Sequence, residues 1–317
     1  MTGARETSHA SLATRAALAS VAVALFLVLL KSWAAWTTGS VAMLGSLADT
    51  GLDLVASLIT LFGVRVAAAP ADRDHRFGHG KAEALAALFQ VMLIAFSAVG
   101  IFWRGIERLI NDQVTAGAEG GIIVSAIAIA ATLLLLAYQK RVIASTGSVA
   151  IETDHVHYQS DLLLNLSVIA ALVLEQYFDL AGADAAFGIA IALWLAWGAW
   201  RASSRAIDQL MDKEWPEEKR ARFVEVAAKH PELKGLHDLR TRTSGNKDFV
   251  QFHVWMNPEM KVADAHDVLD EVEAKLEKEF PGVEILIHID PVGQVDHPGN
   301  PLVETDLTRD VKGERKS

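Results

Sequence analysis

Asp49 and Asp53 lie four residues apart, as do His157 and Asp161, and both pairs fall in stretches otherwise apolar over helical lengths. A spacing of four sets two side chains on one face of a helix. Two such helices facing each other would present three carboxylates and one imidazole to a common point. An acid at the centre of a membrane span costs about 2.5 to 3.5 kcal/mol on insertion scales, so several acids need a neutralising partner. A divalent cation is such a partner. The chain has no cysteine, so any transition-metal site must use imidazole and carboxylate. This donor set suits tetrahedral Zn²⁺ or a similar first-row ion, whereas hard cations favour more oxygen ligands. Gln159, Ser160 and Asn165 beside the pair are either supporting hydrogen-bond donors or interhelical glue.

The elements that must position these residues are membrane spans. Hydrophobic side chains make up 51% of the 317 residues and the mean hydropathy is +0.26, with the apolar residues concentrated before about residue 205. A bilayer core about 30 Å thick needs roughly 20 apolar helical residues per crossing. Six stretches satisfy this: Ala13 to Trp36, Val41 to Ala69, Ala82 to Ile110, Gly120 to Gln139, Val149 to Gln176 and Ala183 to Ser203. Basic residues gather at Arg65, Arg73, Arg76 and Lys81, at Lys140 and Arg141, and after the last span at Arg201, Arg205 and Lys213. The positive-inside rule therefore predicts both termini on the cytosolic side of a multi-pass membrane protein. The polar lead Met1 to Arg15 reads as a cytosolic tail rather than a cleaved signal. Arg104 and Arg108 count against this topology, and Glu107 beside them offsets part of their charge. A formal net charge of −10 excludes nucleic acid as a partner.

From Trp215 the pattern changes. Glu217 to Lys229 reads as a helix, Leu236 to Thr243 and Phe249 to Asn257 as strands, Ala263 to Phe280 as an amphipathic helix and Val283 to Ile289 as a third strand. The fold class is thus an α-helical membrane domain of six transmembrane helices followed by a small αββαβ domain. The boundaries predicted are a tail over 1–12, the membrane domain over 13–208, the second domain over 209–292 and a polar, disordered tail over 293–317. Glu152 and Asp154 read either as acids lining the cytosolic entrance or as solvated acids at a helix start. His155 reads as a helix-end histidine or a metal collector at that mouth, and Trp194, Trp197 and Trp200 as packing and interfacial anchors.

Gly45-Ser46-Leu47-Ala48-Asp49-Thr50-Gly51-Leu52-Asp53, Phe77-Gly78-His79-Gly80-Lys81-Ala82-Glu83 and His157-Tyr158-Gln159-Ser160-Asp161 resemble the motifs of the cation diffusion facilitator family. The resemblance runs from the first span through Asp290. It implies a homodimer with metallochaperone-like cytosolic domains that exchanges cytosolic Zn²⁺ for protons by alternating access. By match to its motifs, Asp49, Asp53, His157 and Asp161 take the transport-site positions. A histidine with three aspartates is the family's pattern for zinc and cadmium; Fe²⁺ is a further candidate. Asp72, His75 and His79 match a second zinc site in the loop between spans, with Asp74 as an alternative to Asp72. The alternative is that both histidines are simply exposed loop residues. His237, His253, His266, His288 and Asp290 match a binuclear cytosolic site, and Lys81 with Asp212 match a charge interlock near the dimer contact. Residues two apart on a strand share a face, as His288 and Asp290 would need for joint ligation.

Metal binds deprotonated ligands, so metal and protons compete, and His157 is the candidate proton carrier. Partners are accordingly lipid, divalent metal ions, protons and a second copy of the chain. Two rival readings have less behind them. A membrane hydrolase lacks its His-Glu-x-x-His or Gly-x-Ser-x-Gly signature here. A membrane-anchored metal sensor without transport has no use for paired acids inside spans.

Overall fold

A computed structural model describes residues 2–38, 41–111, 122–178, 183–231, 233–245, 247–294 and 306–308. It contains the helices α1 (Thr2–Thr38), α2 (Val41–Ala67), α3 (Ala82–Asn111), α4 (Ile122–Thr146), α5 (Val149–Phe178) and α6 (Ala183–Leu210). These are followed by α7 (Glu217–Ala227), β1 (Lys234–Ser244), β2 (Lys247–Met256), α8 (Val262–Glu279) and β3 (Val283–Pro291). Two compact units result, one built on Ser8–Asp208 and the other on the residues from Gln209 on. Most of the tail expected after 293 lies outside the described residues.

Among the described residues, five helices are long and apolar enough to cross a membrane: His9–Thr37, Ser46–Ala67, Ala82–Ile110, Val124–Thr146 and Ala185–Leu210. The sixth expected span, α5, is 30 residues long, carries Glu152, Asp154, His155, His157 and Asp161 in its first half, and packs against α2, α3 and α4. The first helix starts well before Ala13, because Ala4, Arg5 and Glu6 are good helix formers that extend it through the expected tail.

Small residues let these helices approach closely. A Cβ built on Gly63 of α2 would lie 2.3 Å from the Cβ of Ala86 on α3, so any side chain there would push the two apart. The α4–α5 connection is a tight one. Gly147 takes φ +64, and the Ser148 hydroxyl then accepts the backbone N–H of Ile151 at 3.3 Å in the first turn of α5. The same hydroxyl donates to Glu83 at the start of α3. Outward, Trp194, Trp197 and Trp200 are exposed on α6, as lipid-facing anchors should be.

In the second unit the strand order is β1-β2-β3, with β1 antiparallel to β2 and β2 parallel to β3. Phe223, Val250, Phe252, Val254, Val272 and Leu276 form the buried centre of its core. Each contributes about 1.5 to 3 kcal/mol of apolar burial. β1 begins at Lys234, earlier than its apolar pattern suggested, because it pairs with Trp255 through two register shifts around His237. Gly235 makes this possible: it takes φ +61, and a Cβ there would meet the Trp255 ring at 2.1 Å. Gly235→Val combines a left-handed backbone with that clash, so it should destabilise this unit by about 3 kcal/mol or more. Hydrogen exchange at the β1 and β2 amides of the full chain, followed across denaturant concentrations, checks this.

Candidate metal sites

The convergence of α2 and α5 brings the first pair of motifs together. His157 Nε2 lies 3.1 Å from Asp53 Oδ1 and 3.9 Å from Asp161 Oδ2, and one ligand atom from each residue falls within 4.8 Å of the others. Asp49 is not in that tight group. It lines the same cavity of about 580 Å³, together with Asp53, His157, Ser160 and Asp161. Local bonds brace the backbone that carries these side chains: Asn165 Nδ2 donates to the Asp161 carbonyl at 2.8 Å, and the Ser160 hydroxyl donates to the His157 carbonyl. The Tyr158 ring packs edge-on against His157 with centroids 5.8 Å apart. Its hydroxyl donates to the Ser20 carbonyl at 3.2 Å and lies 2.9 Å from the Ser57 hydroxyl.

Of the two acids and the histidine at the start of α5, one stands elsewhere than expected. Asp154 neither lines an entrance nor meets solvent. It is fully buried and accepts from Ser20 Oγ at 2.6 Å, Gln90 Nε2 at 2.8 Å and Gln139 Nε2 at 2.8 Å, joining α1, α3, α4 and α5. Asp154 lies three residues before His157 and four before Tyr158, so helical periodicity keeps it on the side of α5 that carries both, one turn nearer the start of the helix, where α1, α3 and α4 supply its donors. Glu152 instead pairs with Arg205 of α6. His155 is also engaged, its Nδ1 lying 3.2 Å from Gln139 Oε1.

Asp72, His75 and His79 meet in the α2–α3 connection. His75 Nδ1 is 3.3 Å from Asp72 Oδ1, His79 Nε2 is 3.4 Å from Asp72 Oδ2, and the two imidazoles stand 4.5 Å apart. Asp72 Oδ1 also accepts the backbone N–H groups of His75 at 2.6 Å and Asp74 at 2.9 Å. The backbone N–H of His75 foremost, with the N–H of Asp74 and the His75 ring, holds the Asp72 carboxyl below the usual carboxylate range. It therefore stays ionised at any pH above that range and loses its hold on the loop only below it. Asp74 contributes its backbone to Asp72 rather than its carboxylate to the cluster.

In the second unit the strand register aligns His237, His253 and His288 in one row across β1, β2 and β3. Asp290, two residues along β3 from His288, turns toward all three. Its Oδ2 lies 2.8 Å from His253 Nδ1 and 3.3 Å from His237 Nε2, and its Oδ1 lies 3.6 Å from His288 Nε2. His237 is 1% exposed and directs Nδ1 to the Gly235 carbonyl at 2.7 Å, so its Nε2 is an acceptor. That buried Nε2 has no hydrogen-bond donor and faces a carboxylate oxygen, an arrangement that a cation between them would satisfy.

His266 is not drawn into this cluster. It sits on α8, 72% exposed at its side chain, with Nδ1 3.7 Å from Asp270. Asp212 takes φ +54 and pairs with Arg242 at 3.5 Å, and Lys81 directly precedes α3. Two residues near the clusters went unread in the sequence. Asp238, at φ +48 beside the register shift, brings its carboxylate 3.6 Å from His253 Nε2. Lys31, a lone cation in the apolar run of α1, reaches α2, where its Nζ donates to Thr50 Oγ1 at 2.6 Å. The interruption of that run was the available signal.

Comparison with known proteins agrees with this layout. The family model for the cation efflux transmembrane domain matches residues 17–211, and that for the cation efflux protein cytoplasmic domain matches 215–292. The chain is 42% identical over 287 residues to the cation-efflux pump FieF of Pectobacterium atrosepticum, covering 90% of this chain and 95% of that protein. It is 41% identical to the FieF of Cronobacter sakazakii over the same shares of each chain. The solved metal-bound C-terminal domain of the CzcD transporter from Thermotoga maritima aligns with 26% of this chain and 99% of its own, at 24% identity and a TM-score of 0.24, too low to carry an argument. Matches over both units and nearly the full length of curated relatives establish that this multi-pass membrane protein belongs to the cation efflux family, the cation diffusion facilitators, whose members transport metal cations.

Proposed function

We propose that the chain exports Zn²⁺ from the cytosol across the bacterial inner membrane in exchange for protons, using Asp49, Asp53, His157 and Asp161 as the transport site. The observation that carries this is the meeting of Asp53, His157 and Asp161 within 4.8 Å on the wall of a cavity between apolar helices. An imidazole and carboxylates without sulfur suit Zn²⁺, with Cd²⁺ and Fe²⁺ as further substrates. Because the ligands must be deprotonated to bind metal, protons and metal compete for one site, and His157, hydrogen-bonded to Asp53, carries the exchanged proton.

The cavity supports alternating access. From the ligands it runs along α3 to Arg104 and Arg108 and along α6 to Ala185, the ends placed outside by the positive-inside rule. In this conformation the site faces outward. The opposite direction is closed by Tyr158 on Ser57 and by the polar knot around Asp154. The two arginines at the outer mouth oppose the return of an expelled cation. The Asp72 loop cluster and the row of His237, His253 and His288 with Asp290 bind the same metal on the cytosolic side, in a homodimer whose second copy is expected through the cytoplasmic domain. Flux of Zn²⁺, Cd²⁺, Fe²⁺ and Mn²⁺ in proteoliposomes tests the assignment. Zn²⁺ and Cd²⁺ should move fastest, and Mn²⁺ moving faster than both would overturn the preference.

A further inference from the structure

We propose that Lys31 is a resident counter-cation of the transport site, weakening metal binding enough for the metal to leave. This rests on the reading of Asp49, Asp53, His157 and Asp161 as that site. An ammonium within a span is costly, and a lysine near a helix end ordinarily extends toward the headgroups. Lys31 does not. Its Nζ donates to Thr50 Oγ1 at 2.6 Å and lies 3.4 Å from the Ser46 carbonyl, both on the α2 segment that carries Asp49 and Asp53. The Thr50 hydroxyl donates in turn to Ser46 at 3.1 Å, which leaves its oxygen free to accept from the lysine.

Held there on Thr50, next in the chain to Asp49 and one turn before Asp53, the ammonium is within electrostatic reach of the site's carboxylates. Its charge has two consequences. Three carboxylates, one divalent cation and one ammonium sum to neutrality, so the loaded site carries no net charge into a low-dielectric surrounding. The same ammonium repels a bound metal ion, and the repulsion on a divalent ion is twice that on a proton. A structural tether predicts the reverse behaviour, because losing a tether loosens the site and weakens binding.

Lys31→Gln separates these roles, since glutamine keeps a donor for Thr50 and loses the charge; Lys31→Met removes both. Zn²⁺ flux in proteoliposomes is measured at pH 8, where protons compete least. Both variants should lower the half-saturating Zn²⁺ concentration about tenfold and lower the maximal rate, as release becomes slower. Where flux becomes too slow to read, equilibrium binding of radioactive Zn²⁺ to Lys31→Gln, less that to the Lys31→Gln/Asp53→Ala double variant, reports the affinity. An unchanged or raised half-saturating concentration in Lys31→Gln overturns the proposal. Asp53→Ala in the same vesicles guards the underlying reading: if it transports normally, the transport-site assignment itself fails, whatever Lys31 does.

Discussion

Asp53→Ala should reduce Zn²⁺ flux by more than about 100-fold, because loss even of an outer hydrogen-bonding partner of a metal ligand commonly costs 10- to 100-fold. Asp53 is the residue through which α2 reaches the α5 histidine, at 3.1 Å. Removing it leaves His157 and Asp161, both on one helix, to hold the metal with Asp49 from further off. Transport should fall while the protein stays folded, since the mutation relieves a half-buried acid among apolar helices. The check pairs vesicle flux with thermal unfolding of the same preparation. Near wild-type flux with an unchanged unfolding temperature would contradict the assignment.

The second large effect is on stability. Asp154→Ala removes an acceptor of Ser20, Gln90 and Gln139; Ser20 falls back on the Ala16 carbonyl and Gln139 keeps Ser20 Oγ, but Gln90 Nε2 and one N–H of Gln139 are stranded, and at about 1 to 3 kcal/mol for each unsatisfied buried group the loss should reach about 2 kcal/mol or more. Asp154→Asn should be milder. Gln90 Oε1 is buried without a partner, so rotation of that amide lets it accept from an asparagine N–H while the asparagine oxygen still accepts elsewhere. Thermal unfolding in detergent should rank wild type above Asp154→Asn and Asp154→Asn above Asp154→Ala. Equal unfolding temperatures for all three proteins would mean the knot carries no stability.

The ligand pairs were legible because the information is local. A spacing of four fixes a common helix face whatever the tertiary packing, and an acid in an apolar run marks itself. The histidine row across β1, β2 and β3 was half legible: His288 and Asp290 share a strand face, but their meeting with His237 and His253 depends on register between strands. What the sequence concealed lies across elements. Asp154 and His157 are equally good acid and base on the same helix, yet one faces a polar knot of three other helices and the other faces α2. Asp238 joins His253 only because the backbone turns to positive φ beside a register shift, which aspartate's own identity does not announce. His266 shows the converse, since a histidine matched by motif stays out on α8 beside Asp270.

The proposed exchange stands or falls on proton coupling at Asp53, His157 and Asp161. Proteoliposomes carrying wild-type protein, with Zn²⁺ on one side and pH recorded on both, measure it directly. Zn²⁺ should move only with an opposite flow of protons, speed up under an opposing proton gradient and reverse when that gradient is reversed. His157→Ala should lose this dependence on the gradient along with most of the flux. Zn²⁺ movement at the same rate with no proton counterflow, or full coupling retained in His157→Ala, would contradict the mechanism.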